Sequence, residues 1–437
     1  MTSTGFLSLK QKLNINPLDV DFDIIFQKKI TELIFNQKRD TMRSGPLKKT
    51  KFSSLLFLIL ASFFILALSA QQISHDVSVI NIEVPVKVFK GDKFVDGLTI
   101  ADFEVYEDGK LQKIEAVYLI KKTKIEKEEG KRRFSPRTSR NYVLVFEIQE
   151  YLPEIEKVLA YFFNEVFLKG DTLIVVTPVK TYHFKSEAFQ ILPLQKISDQ
   201  LKEKLRKDII IGNSEYNRLM KDIEELFSFD VEADIKKLMY MDLARKLKNL
   251  KQLDQKKMLE FADFLKKAEG QKHVFIFYQK ELVPILPELE DSSLDSSSID
   301  TSSLLLELSK EISFDIEKTK QAFSDSSITV NSLFISKIGM FKDLDVRRMQ
   351  PMRVKMFDQS NEIFNAFREV AFASGGLAGS SSNAAASFQK AVDASENYYL
   401  LYYSPQSYKA DGNFRNIKVK VKNANYRITH RAGYFAN

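Results

Sequence analysis

Asn141-Tyr142-Val143-Leu144-Val145-Phe146 opens a stretch whose grammar differs from everything before it. Val143–Phe146 is a continuous apolar run, as expected of a strand buried on both faces. A helical pattern follows from Leu152 to Phe167 and stops at Gly170, and a second apolar run, Thr172–Val176, comes directly after. Two more runs, Val274–Phe277 and Ile328–Ile335, are separated from these by helix-periodic segments. Strand alternating with helix predicts a parallel sheet covered on both sides. From about 195 to 269 the chain is charged and helix-periodic (Leu219, Ile223, Leu226; Leu238, Leu243, Leu247), which predicts a helical insertion. Residues 291–303 form a serine-rich surface loop, and helices over Asn361–Ala373 and Ala384–Ala394 complete an α/β domain spanning 141–396.

Outward from that domain, both flanks change to period two. In 73–120, Ile82, Val84, Val86 and Val88 share one face. Phe103-Val105-Tyr106 then leads into Asp108-Gly109, a strong hairpin signal, and Leu111 to Tyr118 returns. Residues 121–140 are charged and read as a solvated linker. In the tail, 397–437, Tyr398-Tyr399-Leu400-Leu401-Tyr402-Tyr403 ends at Pro405, Asp411-Gly412 turns the chain, and Ile417–Lys422 alternates apolar with basic residues. Each flank is short for a stable two-layer sheet, so we expect the two antiparallel β modules to pair into one sandwich around the α/β domain.

Composition narrows the function. With no cysteine among 437 residues, a disulfide scaffold, a thiolate metal site and a thiol nucleophile are excluded. The formal charge of +7 is concentrated at the front: removing the ten basic and five acidic residues of 1–51 leaves 55 against 53 from residue 71 onward. So balanced a surface makes no case for a nucleic-acid partner. Phe52–Leu68 is an apolar run of 17 residues behind Arg43, Lys48, Lys49 and Lys51, and it leaves through Ala67-Leu68-Ser69-Ala70. That is the layout of a secretory signal peptide over 42–70, with an uncleaved signal-anchor as the competing reading. Met42 sits where such a signal should start, so residues 1–41 are expected to be an over-extended N-terminus. The product is then exported, periplasmic or secreted, and touches a membrane only through the signal segment if that stays uncleaved.

Two stretches of wording point to a family. Asp102-Phe103-Glu104-Val105-Tyr106-Glu107-Asp108-Gly109-Lys110 with Gln112 and Ile114, together with the tail through Arg431-Ala432-Gly433-Tyr434-Phe435, resemble the von Willebrand factor A-related family of secreted bacterial proteins, the acidobacterial type. The resemblance covers about 75–437 and is weak through the middle. It implies a von Willebrand A-like doubly wound sheet with helices on both faces, between two β modules. It also implies a ligand face at the strand ends. There, metal-competent relatives carry Asp-x-Ser-x-Ser after the first strand, with a Thr and an Asp from later loops. Mg²⁺ needs near-octahedral hard oxygen ligands at about 2.0–2.1 Å. This chain places Glu147, Gln149 and Tyr151 at the matching positions, and Tyr278-Gln279-Lys280-Glu281 after the later strand. Glutamate displaces the carboxylate, a glutamine offers only a neutral amide oxygen, tyrosine is a poor Mg²⁺ ligand, and Lys280 repels a cation. The expectation is a degenerate metal site with no cofactor, with Gly212-Asn213-Ser214 as the threonine-loop counterpart. A site rebuilt on Glu147 and Glu281 is the alternative.

Other constellations carry no chemistry. His75, His183, His273 and His430 are scattered without metal-ligand spacing, no G-x-S-x-G elbow anchors a hydrolase triad, and Gly375-Gly376-Leu377-Ala378-Gly379 lacks the Lys-Ser/Thr of a phosphate loop and reads as a helix C-cap plus loop. The four tail tyrosines are either core or a one-sided aromatic platform. No catalytic residue is expected. The predicted function is protein–protein interaction or adhesion at the cell envelope, through Glu147, Gln149, Tyr151, Gln279 and Glu281. A structural envelope component with the α/β domain as spacer, and an exported hydrolase, are the alternatives.

Overall fold

The computed structural model describes residues 80–437 except 131–133, 185–188, 190–191, 251–253, 287–307, 310–313, 337–354 and 424. The signal segment over 42–70, the expected start at Met42, His75 and the serine-rich loop lie outside these residues. Among the described residues no helix is long and apolar enough to cross a membrane.

The two β flanks interleave. One sheet takes β1 (Ile82–Lys90), β2 (Lys93–Phe94), β5 (Ile114–Lys121) and β6 (Lys124–Gly130) from the front of the chain, and β15 (Asn397–Tyr403) and β17 (Arg427–His430) from its end, in the order β17-β1-β15-β5-β6 with β2 on β1. The register sets Leu401 between Val84 and Val117. The other sheet runs β18 (Gly433–Phe435), β16 (Phe414–Val421), β3 (Phe103–Glu107), β4 (Lys110–Gln112), with Val419 opposite Val105. Alternation in β16 works as expected, with Ile417, Val419 and Val421 buried and Lys418 and Lys420 exposed. The Phe103 and Tyr399 rings, 5.1 Å apart and tilted at 59°, join the two sheets. The expected linker over 121–140 is corrected in its first half: Lys124–Gly130 is strand β6, an edge whose outward residues are charged. That is how an edge strand avoids further pairing.

The α/β part contains β7 (Arg140–Glu147), α1 (Pro153–Tyr161), β8 (Thr172–Val176), β9 (Thr181–Phe184), α2 (Leu194–Gly212), α3 (Ser214–Leu226), α4 (Ala233–Asn249), α5 (Gln255–Lys266) and β10 (Gln271–Gln279). Then come β11 (Leu282–Pro284), α6 (Ile316–Asp325), β12 (Ile328–Ile335), β13 (Met356–Asp358), α7 (Asn361–Ala373), β14 (Ala378–Ser381) and α8 (Ala384–Glu396). The central sheet is ordered β14-β12-β10-β7-β8-β9, parallel throughout except for β9, which runs against β8. Every residue of β10 and β12 is buried, because helices cover both faces. On one face Leu144, Phe146, Phe275 and Phe277 meet Val158 of α1, Leu201 of α2 and Phe388 of α8. On the other, Val143, Val274, Ile276 and Val330 meet Leu265 of α5 and Phe367 of α7. The fold is therefore mixed α/β, with antiparallel sheets beside a mainly parallel one.

The insertion is helical as expected. Its α3 and α4 build a separate small core from Leu219, Ile223, Tyr240, Ala244 and Leu247, closed by Val283 and Ile285 at β11. The Gly375-Gly376 pair ends α7 as a C-cap, with Gly375 at φ +76° and the Gly376 N–H donating to Ala371 O at 2.9 Å. A Cβ on Gly376 would collide with the Val330 carbonyl, so the close approach of this turn to β12 requires glycine. Strand β14, which the loop reading omits, starts two residues later.

Candidate functional site

The chain leaves β7 towards β8 on one side, while β10 leads to β12 on the other, so the sheet switches direction between β7 and β10. Ligands of open α/β sheets bind beyond the carboxyl ends of strands at such a point. Glu147 closes β7, and its register partner across the switch is Tyr278. Glu147 and the 278–281 stretch therefore start side by side.

What they form is a filled, polar interior. Gln279 is 1% exposed, and its Oε1 accepts from the N–H groups of Gln149 at 3.0 Å and Glu150 at 3.3 Å. Its Nε2 donates to Glu150 Oε1 at 3.2 Å. The Tyr278 hydroxyl donates to Glu281 Oε1 at 2.5 Å, and burial, followed by the charge of Glu281, holds that phenol well above its ordinary pKa. Asn213, fully buried between α2 and α3, donates from Nδ2 to Ile148 O and to Ile209 O, both at 2.8 Å. The loop expected as the threonine counterpart does reach the end of the first strand, but it delivers an amide donor there. Tyr151 sits just before Pro153, which starts α1, and the Arg206 guanidinium lies 4.9 Å from its ring centroid. Burial, then nearby Glu156, pushes its hydroxyl up to about 12.

Several groups that sequence patterning does not single out complete the site. Ser360 Oγ accepts from Glu281 N at 3.2 Å and donates to Asp358 Oδ1 at 2.7 Å, while Gln359 N donates to Glu281 O at 3.0 Å. Asp358 also lies 3.5 Å from Lys280 Nζ, so the lysine expected to repel a cation has a carboxylate beside it. Burial, then the charges of Glu281 and Glu150, raise the Tyr216 phenol of α3, which brings the helical insertion to the same spot. Asp358-Gln359-Ser360 ahead of α7 is the one signal that could have been read, as a polar cap before a helix.

The partner-binding expectation is corrected for three residues. Gln149, Gln279 and Glu281 are 4%, 1% and 1% exposed, beneath the helical insertion and the β11–β13 pair, so no partner reaches them. Glu147 and Tyr151 are half-buried. The four tail tyrosines are buried on both sides of β15, which removes the aromatic platform: Tyr399 packs on Phe103, and Tyr402 stacks on Phe134 at 4.5 Å.

Gln279 Oε1 and Glu281 Oε1 are engaged by internal donors, and among the described residues no three His, Cys, Asp or Glu side chains converge.

No known family profile matches the chain, and no curated protein matches it. Among solved structures, the human COPII-coat protein Sec24c is similar at a TM-score of 0.29 and 7% identity, over 70% of this chain and 44% of that one.

Proposed function

We propose that this is an exported, non-enzymatic, von Willebrand A-like protein that mediates protein–protein interaction at the cell envelope without a metal. Support for the scaffold comes from the family wording of the two β flanks, and from a sheet ordered around one switch point with helices on both faces, as a doubly wound sheet is built. The observation that carries the metal-independent part is Gln279, whose amide occupies the strand-end position and bonds both backbone and Glu150. The closed strand ends shift the contact surface outward, onto the helical insertion that covers them.

That insertion exposes large apolar side chains on the α3–α4 connection and the start of α4: Phe229 at 53%, Ile235 at 48% and Leu238 at 68%. Asp230, Glu232 and Asp234 are exposed among them. An apolar tip with acidic surroundings suits a partner protein presenting an apolar pocket with a basic rim. The test is affinity capture from envelope extract with the mature protein, with and without EDTA, alongside a Leu238→Asp variant. The captured protein should survive EDTA and disappear with Leu238→Asp. Loss in EDTA restored by Mg²⁺ would overturn the metal-free reading, and retention by Leu238→Asp would move the contact away from the insertion.

A further inference from the structure

The amino ends of the central strands, opposite the strand-end site, meet the β-sandwich. Between them lies a cavity of about 10 Å³, lined by Arg140, Tyr142, His273, Phe275, Glu396 and Tyr398 among others. Three of these residues are almost wholly buried, with Arg140 at 2%, Tyr398 at 3% and His273 at 4% exposure. Each has a polar atom without a hydrogen-bond partner among the described residues: Arg140 Nη1, His273 Nδ1 and Tyr398 Oη.

The rest of Arg140 is fully used. Its Nε and Nη2 grip Asp171 at 3.1 and 2.6 Å, and Nη2 also donates to Val166 O at 2.9 Å. That orientation leaves Nη1 facing Glu396 Oε1 at 3.9 Å, too long for a direct hydrogen bond and close to the span of a water bridge. Three buried polar atoms, on residues that line one cavity, would each cost about 1–3 kcal/mol if left unbonded, which native folds avoid.

We propose that this chamber is a built site for one water molecule, accepting from Arg140 Nη1 and Tyr398 Oη and donating to His273 Nδ1 and Glu396. The occupant is small because a volume near 10–15 Å³ admits one water. It is neutral because the wall's two cations are already paired, Arg140 with Asp171 and Lys122 with Glu396, so an anion meets Glu396 and a cation meets Arg140 and Lys122. It must both donate and accept, since Arg140 only donates and a neutral imidazole Nδ1 can accept. Burial holds the His273 ring neutral, with its pKa brought down to about 3. The four partners come from β7, β10, α8 and β15, so the molecule stitches sandwich to α/β core and is independent of the proposed function.

A crystal structure of the mature protein tests this, with one crystal grown free of halide and another soaked in bromide. A single spherical peak within about 3.2 Å of the four side-chain atoms, present in both and without bromine anomalous signal, is expected. An empty chamber, or a bromine peak inside it, overturns the assignment.

Discussion

Glu107 shows that the 102–114 stretch and the tail are tied together structurally. Its Oε2 accepts from the Tyr403 hydroxyl at 2.7 Å and from the Tyr434 hydroxyl at 2.9 Å, so the first motif and the tail bond to each other. Asp108, at φ +46° ahead of Gly109 at +80°, forms the hairpin turn, and its carboxylate accepts from Asn416 N at 2.9 Å. Those residues were legible because turn chemistry and alternation are local. Gln279 was legible only as a substituted position, since nothing local announces that its amide caps a loop from another strand. At the same scale His273 gives a pH dependence. Folded, its pKa is about 3, whereas an unfolded histidine titrates near 6.5. On acidification the unfolded chain takes up this proton first. Stability is therefore lost as pH falls from about 6.5 towards 3, by about 3 kcal/mol between pH 7 and pH 4. Urea unfolding at the two pH values, compared between the native protein and His273→Gln, checks the sign, and the variant should show a smaller loss.

At the scale of elements, α4 separates what periodicity tells from what it cannot. Leucines 238, 243 and 247 all fit a helix, yet the buried stripe is Tyr240, Ala244 and Leu247, while Leu238 points to solvent at 68% exposure. A helix rotated by a third of a turn satisfies the same spacing, and only its partner, here α3 with β11, selects the face. Leu247→Ala should cost about 2–5 kcal/mol and Leu238→Ser no more than about 0.5 kcal/mol, as thermal or urea unfolding will show. Strand β6 was missed for a related reason: five of the seven residues of Lys124–Gly130 are charged, because it is an edge with little to bury. The strands β7, β10 and β12 were the easiest to read, since burial on both faces leaves only apolar choices along most of their length.

For the whole molecule, the pairing of β15 between β1 and β5, and of β16 with β3, means the front module has no fold of its own. A chain stopped after Glu396 should be cleaved throughout 80–130 in limited proteolysis. A resistant N-terminal fragment would show that the module stands alone. The strand-end face, by contrast, was legible in position and misjudged in access. Glu147 ends β7 at the switch point, but the burial of Gln149, Gln279 and Glu281 is tertiary information.

The Tyr403–Glu107 bond spans 296 residues of chain. At about 5–20 residues per second, the opening strands leave the ribosome roughly 15–60 s before their closing partners exist. Through that interval β1, β3 and β5 present bare edges, so the nascent protein depends on a holding factor or on delayed release more than a chain built from consecutive modules does.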